Sequence, residues 1–336
     1  MIVESYSYDD LMLVPQYSTI KSRSEVDVSV KMGKFVFKHP VIPANMKSIM
    51  GLDMAYEVIN SGGLAILHRF LPLQEQIDIT DDIIDNFGPN NFAISIGVKN
   101  SDKEALKHFD QSGVKTVCID IAHGDSEHCI DIIRWIKENY PQMFIIAGNV
   151  ATGKGAERLW KAGADAVKCG VGSGSLCSTR INTGNGVPQL SVLMEVSQVR
   201  ETLDLNRHLY IISDGGVKSS GDLVKSLCFA DMTMIGNMFA GCPETPEKII
   251  THNGIAYRNY AGSSTHKDTH IEGVKALVPV KESYNVVLTK MLEGLKSGMS
   301  YQNARALEQL RDNPVFTKIT NAGLVESHPH DVVLKD

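Results

Sequence analysis

Eight short, unbroken apolar runs recur along the chain: VIPAN (41–45), LAILHR (64–69), FAISIGV (92–98), TVCIDIAHG (116–124), FIIAGNV (144–150), AVKCGVG (166–172), YIISDGG (210–216) and MTMIGN (232–237). Continuous runs, unlike alternating ones, predict strands buried on both faces of a parallel sheet. Between them, apolar residues return at helical spacing over 102–113, 127–140, 154–164, 191–205 and 220–230. Several of these segments open on a cap-competent residue and several close on glycine. Strand then helix, eight times over, predicts an α/β protein, a (β/α)8 TIM barrel forming one domain over 1–336, with an open doubly wound sheet as the alternative.

Two stretches break this rhythm. Residues 251–283 are polar, rich in Gly, Ser and His, and stand between the eighth strand and a last helical segment at 284–297. They are too long for a turn and read as an extended flap, a mobile lid after strand eight. The tail VESHPHDVVLKD (325–336) either docks on a neighbour or stays loose.

The polar tips of the strand runs matter because a barrel keeps its chemistry at the C-terminal ends of its strands. Asn45, His68, Asp120, His123, Asn149, Lys168, Asp214, Gly216 and Gly236 all fall there. SDGG (213–216) and MIGN (234–237) end adjacent strands and can hold a phosphate through backbone N–H groups, or serve only as turns. Ser175 can add a hydroxyl to the same phosphate. Asp214 would repel a phosphate, so as a ligand residue it suits ribose hydroxyls, and otherwise a helix cap.

GVGSGSLCSTR (170–180) follows the sixth strand. Cys177 sits there among glycines, with Thr179 two residues on and Arg180 three residues on. The cation and converging N–H groups favour a thiolate nucleophile, while the plainer reading is a thiol packed under the loop. The loop carbonyls could also trap a monovalent cation. The histidine pairs His266/His270 and His328/His330 lack helical support, so no catalytic metal is expected among them.

Charge and cysteine usage narrow the class. A formal net charge of −6, without a basic cluster, argues against nucleic-acid binding. The start, MIVESYSYDDLMLVP, has no basic segment leading into an apolar core, and no stretch reaches about 18 apolar residues. Neither secretion nor a membrane span is expected. Six cysteines without a C-x-x-C pair point to reduced thiols and a cytoplasmic location.

YSYDDLMLVP (6–15), PVIPANM (40–46), IDIAHG (119–124), IIAGNVAT (145–152), GVGSGSLCSTR (170–180), ISDGG (212–216), IGNMFAG (235–241) and YAGSS (260–264) together resemble the family of inosine monophosphate dehydrogenase and guanosine monophosphate reductase, across essentially the whole chain. The resemblance implies a purine nucleotide in the barrel mouth and Cys177 attacking C2 of its base. It implies phosphate held by Ser175, Gly216, Gly236, Asn237 and Tyr260, and ribose by Asp214. Asn45, Gly262, Ser263 and Gly273 complete the implied substrate set. A nicotinamide dinucleotide would pass near Asp120, Ala122, His123, Gly124 and Asn149, beside Lys168. Potassium would sit on the carbonyls of Gly172, Gly174 and Cys177, and the assembly would be a homotetramer.

Within the family the sequence resembles the reductases. Only 22 residues (70–91) join strands two and three, which leaves no room for the regulatory insert of most dehydrogenases. The flap AGSSTHKDTHI lacks the Arg-Tyr pair with which dehydrogenases activate water. Thr179 and Glu272 match the family's Thr-Glu pair, which implies catalysis by Cys177, Thr179 and Glu272. The implied reaction is NADPH-dependent reductive deamination of GMP to IMP and ammonia. The alternative is NAD-dependent oxidation of IMP to XMP by a dehydrogenase without the insert. Lys47 stands where the family commonly has aspartate, and Thr269 where reductases often have a basic residue.

Overall fold

All eight apolar runs form strands: β1 Val41–Pro43, β2 Ala65–Leu67, β3 Phe92–Ile96, β4 Thr116–Asp120, β5 Phe144–Val150, β6 Ala166–Cys169, β7 Tyr210–Asp214 and β8 Met232–Ile235. The structure, a computed structural model, describes residues 2–262 and 274–332. Every ladder in this sheet is parallel, in the order β1-β8-β7-β6-β5-β4-β3-β2. β1 and β2, at the two ends of that order, contact each other and bring the sheet round into a barrel. The open-sheet alternative is thereby set aside.

Each strand is followed by a helix: α1 Leu52–Asn60, α2 Leu73–Phe87, α3 Asn100–Gln111, α4 Glu127–Asn139, α5 Gly153–Ala162, α6 Gln189–Thr202, α7 Ser220–Leu227 and α8 Tyr284–Tyr301. Helix α5 shows how the sequence sets one. The Thr152 hydroxyl accepts the Gly155 N–H at its start, Gly163 ends it at φ 123°, and Leu159 and Trp160 bury its inner face. Truncating Trp160 to alanine would cost about 3–5 kcal/mol. Between β2 and β3 the chain has room for α2 and its turns alone.

The flap region differs from the loop expected. Ile249–His252, Ile255–Ala261 and Lys275–Pro279 form a three-stranded antiparallel sheet. The first two join through Asn253–Gly254, both at positive φ (50° and 78°), the dipeptide that a tight hairpin favours. Residues 263–273, and with them Ser263, His266, Thr269, His270, Glu272 and Gly273, lie outside the described residues, as do 333–336. Of the tail, Asn321–Glu326 is helical and His328 and His330 are exposed.

The other end of the barrel is plugged by an antiparallel hairpin, Val30–Met32 with Phe35–Phe37. Its buried Phe35 meets Phe144 edge to face, ring centroids 5.7 Å apart. With one end closed, the C-terminal strand ends are left to carry a site.

Candidate active site

Three charged side chains and an amide meet at the C-terminal strand ends. Gly148 pairs with Asp120 on one side and Lys168 on the other, and Ile212 pairs with Lys168, so Asn149 stands one residue and Asp214 two residues beyond that row, within reach of the long Lys168 side chain. Lys168 Nζ lies 2.9 Å from Asp120 Oδ1 and 2.7 Å from Asp214 Oδ2, and donates to Asn149 Oδ1. The Asn149 amide donates to Asp214 Oδ2 at 2.9 Å and to the Gly170 carbonyl at 2.7 Å. With only 3% of the Lys168 side chain exposed, this ammonium persists because two carboxylates and an amide oxygen replace its water.

Electrostatics follow from that arrangement. Burial alone would lower Lys168, but the Asp120 and Asp214 carboxylates outweigh it and raise the ammonium above its ordinary value. Burial would raise Asp120, but Lys168, with smaller help from Arg69 and Asn45, holds its carboxyl below the usual value. His68, 2% exposed, is pushed down to about 4 by burial first and the Lys47 charge second, against a smaller pull from Asp120. It is neutral at pH 7, and its Nδ1 accepts the Phe70 N–H.

The cysteine loop is laid directly against the end of β7. A Cβ on Gly170 would come within 2.1 Å of the Asp214 carbonyl oxygen, and Gly170 has φ 147°. A Cβ on Gly215 would come within 2.7 Å of Ser173 Oγ, which itself donates to the Asp214 carbonyl at 3.0 Å. Only glycines permit this approach. The loop turns at Gly174, whose carbonyl accepts the Cys177 N–H, and the buried Leu176 offers its carbonyl to Val274 in the flap base.

Cys177 alone among the six thiols is exposed; the other five are buried. Its Sγ lies 3.2 Å from Thr179 Oγ1, at the start of a short helix, Thr179–Thr183. The plainer reading, a thiol packed beneath the loop, is thus not what the fold shows.

Loop and charged layer share one cavity of about 230 Å³. From the barrel, Asn45, Asp120, Asn149, Lys168 and Asp214 reach it, with Ala122 at the end of β4. From the loop come Gly172, Gly174, Ser175, Cys177 and Thr179, and from the flap base Tyr260 and Gly262. Gly216, Gly236, Asn237, His123 and Gly124 are not among the residues that line it. Gly216, at φ 85°, backs onto the Tyr8 ring, and a Cβ on Gly236 would stand 2.5 Å from the Tyr260 hydroxyl. Asn237 accepts from Lys281. Gly124 is buried against the backbone of Gly148 and donates to the Asn149 carbonyl, while His123 is exposed.

The sequence reading missed Arg69, Phe70 and Ser173, which line the same cavity. The Arg69 guanidinium lies 4.6 Å from the Phe70 ring centroid, and its Nε donates to the Asp120 carbonyl. Its place one residue after His68, at the tip of an apolar run, was the signal available. Among the described residues no cluster of His, Cys, Asp and Glu forms a metal site, and no helix is long and apolar enough to cross a membrane.

Residues 5–330 match the family model described as the IMP dehydrogenase / GMP reductase domain. The chain belongs to this family. Among its relatives is a GMP reductase of Lactobacillus johnsonii, 38% identical over 319 residues, covering 92% of this chain and 93% of that one. A GMP reductase of Streptococcus agalactiae is 37% identical, covering 91% and 93%. An inosine-5'-monophosphate dehydrogenase of Nitrosopumilus maritimus is 30% identical, covering 98% and 99%. The crystal structure of a GMP reductase from Trypanosoma brucei, in complex with guanosine 5'-monophosphate, superposes with a TM-score of 0.90 at 24% identity, covering 99% of each chain. That likeness shows the barrel fold.

Proposed function

We propose that this protein is a GMP reductase, converting GMP to IMP and ammonia with NADPH through a covalent bond between Cys177 and C2 of the purine. The observation that carries the reading is the exposed Cys177 thiol on the cavity wall, 3.2 Å from the Thr179 hydroxyl. Relatives named GMP reductase at 37–38% identity over most of the chain support it.

In this mechanism Asp214 accepts hydrogen bonds from the ribose, while Ser175, Tyr260 and the glycine N–H groups around Gly216 and Gly236 hold the phosphate. Cys177 gives its proton to Thr179 and its sulfur bonds to C2. The Thr179 hydroxyl passes a proton on, through Glu272 in the flap, to the 2-amino group, so that the C2–N bond breaks and ammonia leaves. Asn45, Ser173 and the Asp120–Lys168–Asn149 layer fix the floor beneath the base. When bound, the reduced nicotinamide supplies a hydride to C2. The C2–S bond then breaks, the sulfur leaves as thiolate, and IMP is released.

The residues present fit such a cofactor. Arg69 stacked on Phe70 offers a flat, cationic surface in the cavity wall together with Asp120 and Ala122. A monovalent cation fits less well. The Gly174 carbonyl is engaged by the Cys177 N–H, and the Arg180 side chain packs against Gly172 and Gly186, so the loop carries a cation of its own. No step above requires potassium.

A homotetramer accords with the flap sheet, where Ile249 is 57% and Ile255 is 53% exposed. Five buried free thiols accord with a reducing, cytoplasmic setting. Incubating the purified chain with GMP and NADPH tests the reading: NADPH should be consumed as IMP and ammonia form in equal amounts. Reduction of NAD with IMP, yielding XMP, would overturn it in favour of the dehydrogenase.

A further inference from the structure

The end of the barrel away from Cys177 holds a second cavity, of about 600 Å³. It lies where β7 and β8 begin. His208 and Leu209 lead into β7, Asp231 immediately precedes β8, and Arg200 and Leu203 come from the carbonyl end of α6. Lys31 and Gly33 of the plugging hairpin, with Glu308 and Arg311 near the C-terminus, complete the wall.

Its charge runs against that of the molecule. Its lining carries four cations, Lys31, Arg200, Arg207 and Arg311, against two carboxylates, Asp231 and Glu308, with Asp165 pairing Arg207 from outside the lining, in a chain of net charge −6. Part of this has a structural purpose. Asp231 accepts the Ile211 N–H at 2.8 Å and pairs with Arg200 at 2.9 Å and Arg311 at 3.5 Å, tying α6, β7 and the C-terminal segment together. That clamp, with Glu308 3.8 Å from Arg311, accounts for two arginines and leaves Lys31, His208 and the open cavity outside it.

Arg207 donates to the Trp160 carbonyl at 2.5 Å and pairs with Asp165 at 3.4 Å, and Lys31 makes no ion pair among the described residues. These anchors hold the guanidinium groups still without using all five N–H donors of each. Fixed guanidinium forks spread around one cavity match the successive tetrahedral groups of a phosphate chain. A lone carboxylate would reach one or two of them. His208 and Tyr210 lie together on the wall, ring centroids 6.4 Å apart, beside the cations.

We propose that this cavity is a second anion site, which binds an oligophosphate at the opposite end of the barrel from the nucleotide pocket. The test is calorimetric titration of inorganic triphosphate, ATP and GTP, each into the full chain presaturated with GMP, for wild type and the Lys31→Glu and Arg207→Gln variants. Lys31 is exposed on the hairpin, so its replacement leaves the fold intact.

The proposal expects one saturable site, weakened about tenfold by Lys31→Glu, weakened also by Arg207→Gln, and weakened by added salt. Equal affinities for the three ligands would assign recognition to the phosphate chain. Tighter binding of ATP or GTP would add a nucleoside on the His208–Tyr210 wall. Absence of saturable heat with all three ligands, or affinities unchanged in both variants, would overturn the proposal.

Discussion

Cys177 Sγ and Thr179 Oγ1 stand 3.2 Å apart at the mouth of the barrel, joined by one turn of a loop that glycines press against β7. Thiol and hydroxyl together form the first link of a proton path. Replacing Thr179 by alanine should therefore slow release of ammonia from GMP by about 10²–10⁴-fold while leaving GMP affinity within a few-fold. Single-turnover assays of ammonia beside equilibrium binding of GMP separate the two effects, and an equal loss in both would count against a relay.

The Tyr260 hydroxyl faces Gly236 from the flap base, in the place assigned to the phosphate. Removing one hydrogen bond to a charged group costs about 1.5–3 kcal/mol. Tyr260→Phe should accordingly raise KM for GMP about tenfold or more with kcat little changed. A fall in kcat at unchanged KM would place Tyr260 elsewhere in the mechanism.

Lys168 is buried between two carboxylates. Lys168→Met should destabilise the fold by about 3–5 kcal/mol, because it strands Asp120 and Asp214 without their partner. Chemical denaturation at pH 7 measures this directly. The Asp120 carboxyl is held below its ordinary 3.8, so its contribution to stability is present above that pH and fades as pH falls through the folded value.

His68 contributes with the same direction over a different window. Its folded value is about 4 against 6.5 when free, so the unfolded chain binds a proton between those values that the folded chain refuses. Stability should fall as pH drops from 6.5 to 4. In His68→Gln the slope should be shallower by about one proton, about 1.4 kcal/mol per pH unit. Parallel slopes in the two proteins would show that His68 titrates normally.

The barrel was legible in the sequence because its strands are buried on both faces and read as solid apolar runs. The flap sheet was not, since Ile255–Ala261 is covered on one side only and its polar residues resemble a loop; the Asn253–Gly254 hairpin signal was there to be used. At the site, Cys177, Thr179 and Asp214 could be named from motifs. The contacts that hold them, Lys168 to Asp120 and Ser173 to the Asp214 carbonyl, depend on the register between strands distant in sequence. No local pattern encodes that register. Arg69 was passed over for the same reason, its partner Asp120 being 51 residues away.

The central claim is a sulfur–carbon bond at Cys177, and peptide mass mapping of protein acid-quenched during turnover of GMP and NADPH tests it most directly. The account predicts that the peptide containing Cys177 carries the mass of GMP less ammonia, and that Cys177→Ala binds GMP but neither forms the adduct nor turns over. Steady turnover by Cys177→Ala, or an adduct mapped to another residue, would contradict it.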